Sequence, residues 1–279
     1  MYDPRWVALS LCLGGKTFHA LLTHFQQDLD AVFAADEATL RQVRGIGLKT
    51  AHAILKLDLN QIARRIEHWM SYGVQIVTWH DPLYPRRLKA LEDAPPTLFY
   101  LGTLAAVDQH PAYAVVGTRS PSSVAAVQAA QIGGVLAHRG DIVVSGLALG
   151  VDKLAHTGAL SVQQGLTCAV LGSGILNVYP QQNQALAQAI ISRNGALICE
   201  VAPDAPVSTP GLVARNRLII GMSQALIVVE TGIEGGAMHT VRFAKQQNKP
   251  IYTLPLQASG NQAILNDGGL DISLLYEHQ

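Results

Sequence analysis

A mostly parallel α/β sheet, covered by helices on both faces and preceded by a smaller all-helical region, is the fold this sequence predicts. Three observations predict it. From Val74 onward, short apolar runs rich in β-branched residues alternate with Ala/Gln-rich segments of helical length. The runs are continuously apolar rather than alternating, the pattern of strands buried on both faces. Before Val74 no β-rich stretch occurs, and residues 1–70 read as helices throughout. The boundaries expected are therefore a helical domain over 1–70 and an extended, doubly wound Rossmann-like domain over 71–279.

In chain order, the helical region holds WVALSLCL, HALLTHF, LDAVFA and a periodic run from Leu40 to Trp69. Within it, LRQVRGIGLKTAHAIL (residues 40–55) places Gly45-Ile46-Gly47 between two apolar-periodic segments. This is similar to a helix-hairpin-helix, a SAM-like element that directs amides at the start of its second helix toward a nucleic-acid phosphate. Gly45, Gly47 and Lys49 are its candidate contacts. A plain helical hairpin needing glycine for steric reasons is the competing reading. The strands expected next are VQIVTW, TLFYLG, AYAVVG, DIVVSG, LTCAVLG, GALICEV, ALIVVE and PIYTLP. Helices are expected near 122–138, 151–164, 181–193 and 236–247.

Composition narrows the function. Hydrophobic residues make up 49% and charged residues 14% of the 279, which suits a large buried core. Twenty basic and 20 acidic side chains give zero formal net charge, so any polyanion site has to be a local cluster. Cys12, Cys168 and Cys199 form no CxxC, and the latter two lie in strand-like runs as buried thiols. With no signal peptide and no apolar run of membrane-spanning length, a cytoplasmic, membrane-free setting is expected.

In an open parallel sheet, ligands bind beyond the carboxyl ends of the strands. Four such ends carry small residues: Gly117-Thr118-Arg119-Ser120, Ser145-Gly146-Leu147, Gly172-Ser173-Gly174, and the turn after Glu230 that reaches Gly235, Gly236 and Thr240. Together they predict an anion-binding rim of exposed amides with Arg119 at its head. No G-x-G-x-x-G opens a helix and no G-x-x-x-x-G-K-[ST] occurs, so neither a dinucleotide cofactor nor ATP hydrolysis is expected. Arg215 and Arg217 flank Asn216 at the head of an apolar segment and need partners if buried, with Glu200 or Glu230 as candidates. One of the two arginines is expected to brace the core and the other to face the rim.

SGLALGVDKLAHTGAL (residues 145–160) puts Asp152 and His156 four apart on one helix face. Asp152 suits the first helical turn, where a carboxylate complements the dipole, and His156 is expected to hydrogen-bond it as a structural brace. No further ligands accompany them, so no metal is expected.

The stretches VVGTRS, SGLALGVDKLAHTGAL, CAVLGSGILNVYP, GALICE, RNRLIIGMSQALIVVE and GGAMHT, in that order, resemble the DprA/Smf family of DNA-processing proteins over about residues 70–267. The resemblance implies sequence-independent binding of single-stranded DNA, homodimer formation and delivery of DNA to the RecA recombinase in natural transformation. It also implies no catalytic activity and no cofactor. The form expected is the one without a C-terminal winged helix. The chain departs from the family pattern at Cys199, at the Ile233-Glu234-Gly235-Gly236 turn, and after Tyr179-Pro180, where Gln181 follows in place of a basic residue. Tyr179 is the candidate stacking residue. Two other readings are a nucleotide sensor using the same rim and a LOG-type nucleoside monophosphate phosphoribohydrolase. The second is weakened by Arg242 and Phe243 standing after Thr240, where that family's glutamate is expected.

Overall fold

A computed structural model describes residues 2–277. Six helices come first: α1 (Pro4–Cys12), α2 (Gly15–His24), α3 (Leu29–Ala34), α4 (Glu37–Leu40), α5 (Leu48–Leu55) and α6 (Leu59–Ser71). Aspartates punctuate them. Asp3, Asp28, Asp36 and Asp58 each accept a hydrogen bond from an amide in the first turn of α1, α3, α4 and α6, satisfying donors that a helix start leaves open. The α6 helix buries Ile62, Ile66 and Trp69, at a spacing that forms one face. That face lies on α1 and on the sheet, where Trp69 meets Phe99 edge-on at 5.4 Å.

The sheet follows. Its strands are β1 (Gln75–Thr78), β2 (Thr97–Gly102), β3 (Ala112–Val116), β4 (Ile142–Ser145), β5 (Thr167–Val170), β6 (Ala196–Cys199), β7 (Ala225–Val228), β8 (Ile251–Thr253) and β9 (Leu270–Asp271). Their spatial order is β1-β2-β6-β5-β4-β3-β7-β8-β9. From β6 to β9 all neighbours are parallel, while β1 pairs antiparallel with β2 and β2 antiparallel with β6. The eight apolar runs become β1 to β8. The two-residue β9 was not expected, being too short to carry a pattern.

The connecting helices are α7 (Arg86–Lys89), α8 (Ser123–His138), α9 (Val151–Ser161), α10 (Gln184–Ser192), α11 (Thr209–Ala214), α12 (Asn216–Gly221), α13 (Ala237–Gln246), α14 (Ser259–Asn266) and α15 (Leu274–Glu277). One sheet face packs against α12 and α13 through Leu226, Val228 and Val144. The other packs against α8 and α9 through Val115, Val143 and Ile227, and against α10, α6 and α1 through Ala169, Leu197 and Phe99. Burial on both sides explains why these strands read as unbroken apolar runs. The chain steps outward from β3 to β6 on one side and from β7 to β9 on the other. It reverses beside β3, the place where such sheets open a crevice at their carboxyl ends.

Candidate functional site

Two amides of the turn between β4 and α9 are turned inward. Asp152, 5% exposed, turns its carboxylate back on the turn and accepts from the Gly146 amide at 3.0 Å and the Ala148 amide at 3.4 Å. The anion held by these amides is the protein's own side chain. Burial raises the pKa of Asp152, while Arg215 and the two amides pull it back. Leu147 stands in the left-handed region (φ 59°) with its side chain fully buried, and the Asn183 side-chain amide donates to its carbonyl at 2.8 Å. Leu147 therefore supports the turn from below instead of lining a rim. Ser145 is buried too, donating to the Val115 carbonyl at 2.6 Å.

His156 does not brace Asp152, contrary to the expectation from spacing. Its Nδ1 is 2.6 Å from the Thr167 hydroxyl, which donates its own proton to the Val143 carbonyl. Nδ1 therefore carries the hydrogen, and His156 ties α9 to the start of β5. Burial brings its pKa down to about 3.

Arg215 and Arg217 both have internal partners. Arg215, 7% exposed, donates to the carbonyls of Gly146 and Val170 and to the Asn216 side chain at 3.0 Å, closing the carboxyl ends of β4 and β5. A Cβ on Gly146 would sit 2.2 Å from the guanidinium carbon, so glycine there is a packing requirement. Asn216 orients Arg215 and is itself 9% exposed. Arg217 pairs with Glu200 and with Asp93 at 3.2 Å, and it lines a different cleft, beside Gly221 and Phe243. The expected division, one arginine bracing and one on the rim, is replaced. Arg215 does both, and Arg217 belongs to an ion-pair cluster on another face.

The remaining strand ends are mostly closed. Gly172, Ser173 and Gly174 are buried, because α11 and the 202–205 loop approach so closely that a Cβ on Gly172 or Gly174 would meet backbone within 2.6 Å. After β3, the Thr118 amide donates to the Glu230 carbonyl at 2.8 Å. The Ser120 amide donates to Thr118 Oγ1 at 3.2 Å, and the Ser122 amide to the Glu230 carboxylate at 2.7 Å. Gly117 packs against Val151 and the Glu230 carbonyl. Gly235 is pressed on the Thr231 hydroxyl, Gly236 is exposed at the start of α13, and Thr240 is buried inside that helix. Part of the predicted amide rim is thus used internally, the amides of Thr118, Ser120, Ser122, Gly146, Ala148 and Gly174 all donating within the protein.

A cleft of ≈ 300 Å³ remains, bounded by Arg119, Gly146, Leu149, Tyr179, Leu212 and Arg215. Arg119 is exposed, close enough to Arg215 for the two charges to repel, and without a carboxylate partner among the described residues. Tyr179 is 39% exposed at its edge. Leu149 and Leu212, its apolar walls, were missed. Leu149 sits two residues from the quoted turn Ser145-Gly146-Leu147, whereas nothing in the sequence of α11 signals that Leu212 reaches the cleft. In the helical region, Gly45 (φ 92°) and Gly47 do form a tight turn into α5, with Ile46 buried and Lys49 exposed. Among the described residues no group of three or more His, Cys, Asp or Glu could hold a metal, and no helix is long and apolar enough to cross a membrane. Cys168 and Cys199 are buried free thiols, with burial pushing Cys199 up to about 12.

This geometry defines a Rossmann-like protein with a small cationic cleft at the carboxyl ends of its strands. The family model for DNA recombination-mediator protein A matches residues 75–270, and the chain belongs to that family. Protein Smf of Synechocystis is 34% identical over 90% of this chain, which spans 64% of that protein. Protein Smf of Escherichia coli is 32% identical over 78% of this chain, which spans 58% of it. Among solved structures, DNA processing protein A of Streptococcus pneumoniae shares the fold over 99% of this chain and 98% of its own (TM-score 0.83, 23% identity). DNA processing protein A of Helicobacter pylori, solved in a study of its single-stranded DNA binding mode, matches 73% of this chain and 97% of its own (TM-score 0.66, 28% identity).

Proposed function

We propose that this chain binds single-stranded DNA without regard to sequence and passes it to a RecA-type recombinase, acting as a homodimer and as a carrier rather than an enzyme. In this reading residues 71–279 are the binding unit and residues 1–70 an accessory helical one, its hairpin at Gly45, Gly47 and Lys49 a secondary phosphate contact. Membership of a DNA-processing family supports the reading, as does the Helicobacter pylori relative whose single-strand binding has been described. The observation that carries it is the Arg119–Arg215 cleft. An exposed arginine, without an ion-pair partner among the described residues, stands beside a buried one held rigid by carbonyls, and no carboxylate among the described residues lines the cleft to compete for a phosphate. Phosphate contacts of this kind position a strand without reading its bases, and Tyr179 offers a ring for sequence-tolerant stacking.

The glycosidase reading would draw its acid from Glu200 or Glu234. Glu200 is locked to Arg217 and Glu230 to the Ser122 amide, and Glu234 is exposed outside the cleft. Thermal unfolding with ligands distinguishes the alternatives. Oligo-dT at about 100 times its Kd adds about 2.7 kcal/mol of stability, and nucleoside monophosphates at the same concentration add nothing. Stabilisation by mononucleotides with none by oligo-dT would favour the sensor. Release of free base from a mononucleotide would favour the phosphoribohydrolase. Delivery is tested by capture of RecA on the DNA-loaded protein.

A further inference from the structure

A further cleft, of ≈ 640 Å³, lies between the helical region and the edge of the sheet, and its lining includes Trp6, His19, Trp79, His80 and Lys89. The rings are packed edge-on: Trp79 meets His19 at 5.3 Å and His80 at 5.2 Å, and Trp6 meets His80 at 5.1 Å, with interplanar angles of 62–85°. None is stacked face to face. Two are fixed by their polar edges, since the Trp6 indole donates to the Pro96 carbonyl at 3.1 Å and the His19 Nε2 to the Ala94 carbonyl at 3.0 Å. Lys89 holds its ammonium 5.5 Å from the centre of the Trp79 ring and makes no ion pair among the described residues. The acidic group at the lip, Glu92, is taken by Lys16.

The cluster is not ordinary core. Trp69, the third tryptophan, is fully buried against Phe99, whereas Trp6, His19 and Trp79 are half-buried and His80 is exposed. The T-shaped contacts leave the rings mutually packed, and Lys89 lies over one face of Trp79, so the surface the cleft offers a base is the exposed His80 ring and the half-buried Trp79 and Trp6 rings beside it. A cation beside them suits a partner carrying negative charge.

Strand direction connects this cleft to the Arg119–Arg215 cleft. Because β1 is antiparallel to β2, and β2 to β6, β1 runs in the same sense as β3 to β6. Its carboxyl end, where Trp79 and His80 follow, is on the same edge of the sheet as Arg119. From β1 to β3 there are five interstrand steps, a span of about 24 Å at roughly 4.8 Å per step. A groove that tracks about four or more nucleotides covers such a distance.

We propose that the Trp79–His80 cleft is a base-stacking station for the same single strand whose phosphates meet Arg119, with Lys89 taking the phosphate beside the stacked base. The proposal rests on the single-strand reading above. It supplies the aromatic surface that a phosphate cleft with one tyrosine lacks.

The test measures anisotropy of labelled oligo-dT and of an abasic strand of equal length on the full chain, for wild type, Trp79→Leu, His80→Ala and Arg119→Ala. Wild type is expected to bind the base-bearing strand about 10-fold more tightly than the abasic one, the lower range of aromatic stacking. That preference shrinks at least threefold in both Trp79→Leu and His80→Ala, while Arg119→Ala weakens both strands and keeps the preference. Because His80 is exposed, its variant stays folded if Trp79→Leu does not. A preference equal in wild type and His80→Ala overturns the proposal and leaves single-strand binding standing. If wild type binds neither strand, the single-strand reading falls and the proposal with it.

Discussion

Arg119 and Arg215 share one cleft and differ in what they hold up. Removing Arg215 strips the Gly146 and Val170 carbonyls of their donor and leaves Asp152 buried without a nearby cation. Arg215→Ala is therefore expected to cost about 3 kcal/mol or more, and Arg119→Ala, at an exposed site, no more than about 0.5 kcal/mol. Urea denaturation of the two variants checks this. It also decides which variant reports on binding alone. His156 gives a pH prediction. Folding lowers its pKa from an ordinary 6.5 to about 3, so between those values the unfolded chain binds the extra proton. Its contribution is complete above pH 6.5 and is lost as pH falls toward 3, by about 1.4 kcal/mol per unit. A His156→Gln protein should show a correspondingly flatter loss of stability over that window. An identical acid profile would contradict the buried, neutral imidazole. At this scale the sequence told that two arginines at the head of an apolar segment need partners. It could not show that Arg217 would find Asp93, far upstream, or that His156 would reach Thr167 instead of Asp152. Those pairings depend on how α9 and β2 are placed in three dimensions.

The elements were legible where pattern is dense. Eight apolar runs became β1 to β8 because burial on both faces leaves no room for polar alternation, and the two longest connecting segments became α8 and α9. Short pieces such as β9 and α15 carry too few residues for a period to show. The α8–α9 contact was invisible for another reason: it depends on which glycine faces its neighbour. A Cβ on Gly133 would meet the Ala155 carbonyl oxygen at 2.2 Å, whereas one on Gly134 would find the Gly158 carbonyl at 3.5 Å. Gly133→Ala should force the helices apart at a cost of about 1–3 kcal/mol, and Gly134→Ala should be neutral or gain up to about 1 kcal/mol from helix propensity. Thermal unfolding of the pair measures the difference, and equal destabilisation would contradict the packing described.

The whole molecule carries no net charge, so long-range attraction adds little to the DNA affinity proposed, which rests on the few cations gathered at the carboxyl edge. The edge itself was legible from the small residues ending β3, β4, β5 and β7. What was not legible is that several of the amides there are used internally, by Asp152 and Glu230, and that α11 packs closely over Gly172. In the proposed function the exposed Arg119 side chain is the central phosphate contact. A cleft that engages one to three phosphates predicts a shallow salt dependence, about 0.7 per phosphate on a single strand. The most direct measurement is fluorescence anisotropy of labelled oligo-dT across a salt series, with duplex DNA as competitor and Arg119→Ala beside wild type. Preference for the single strand is expected, with affinity falling with salt and a variant that is folded, weaker and shallower in slope by about 0.7. Binding unchanged in Arg119→Ala, or absent at low salt from folded wild type, would contradict it.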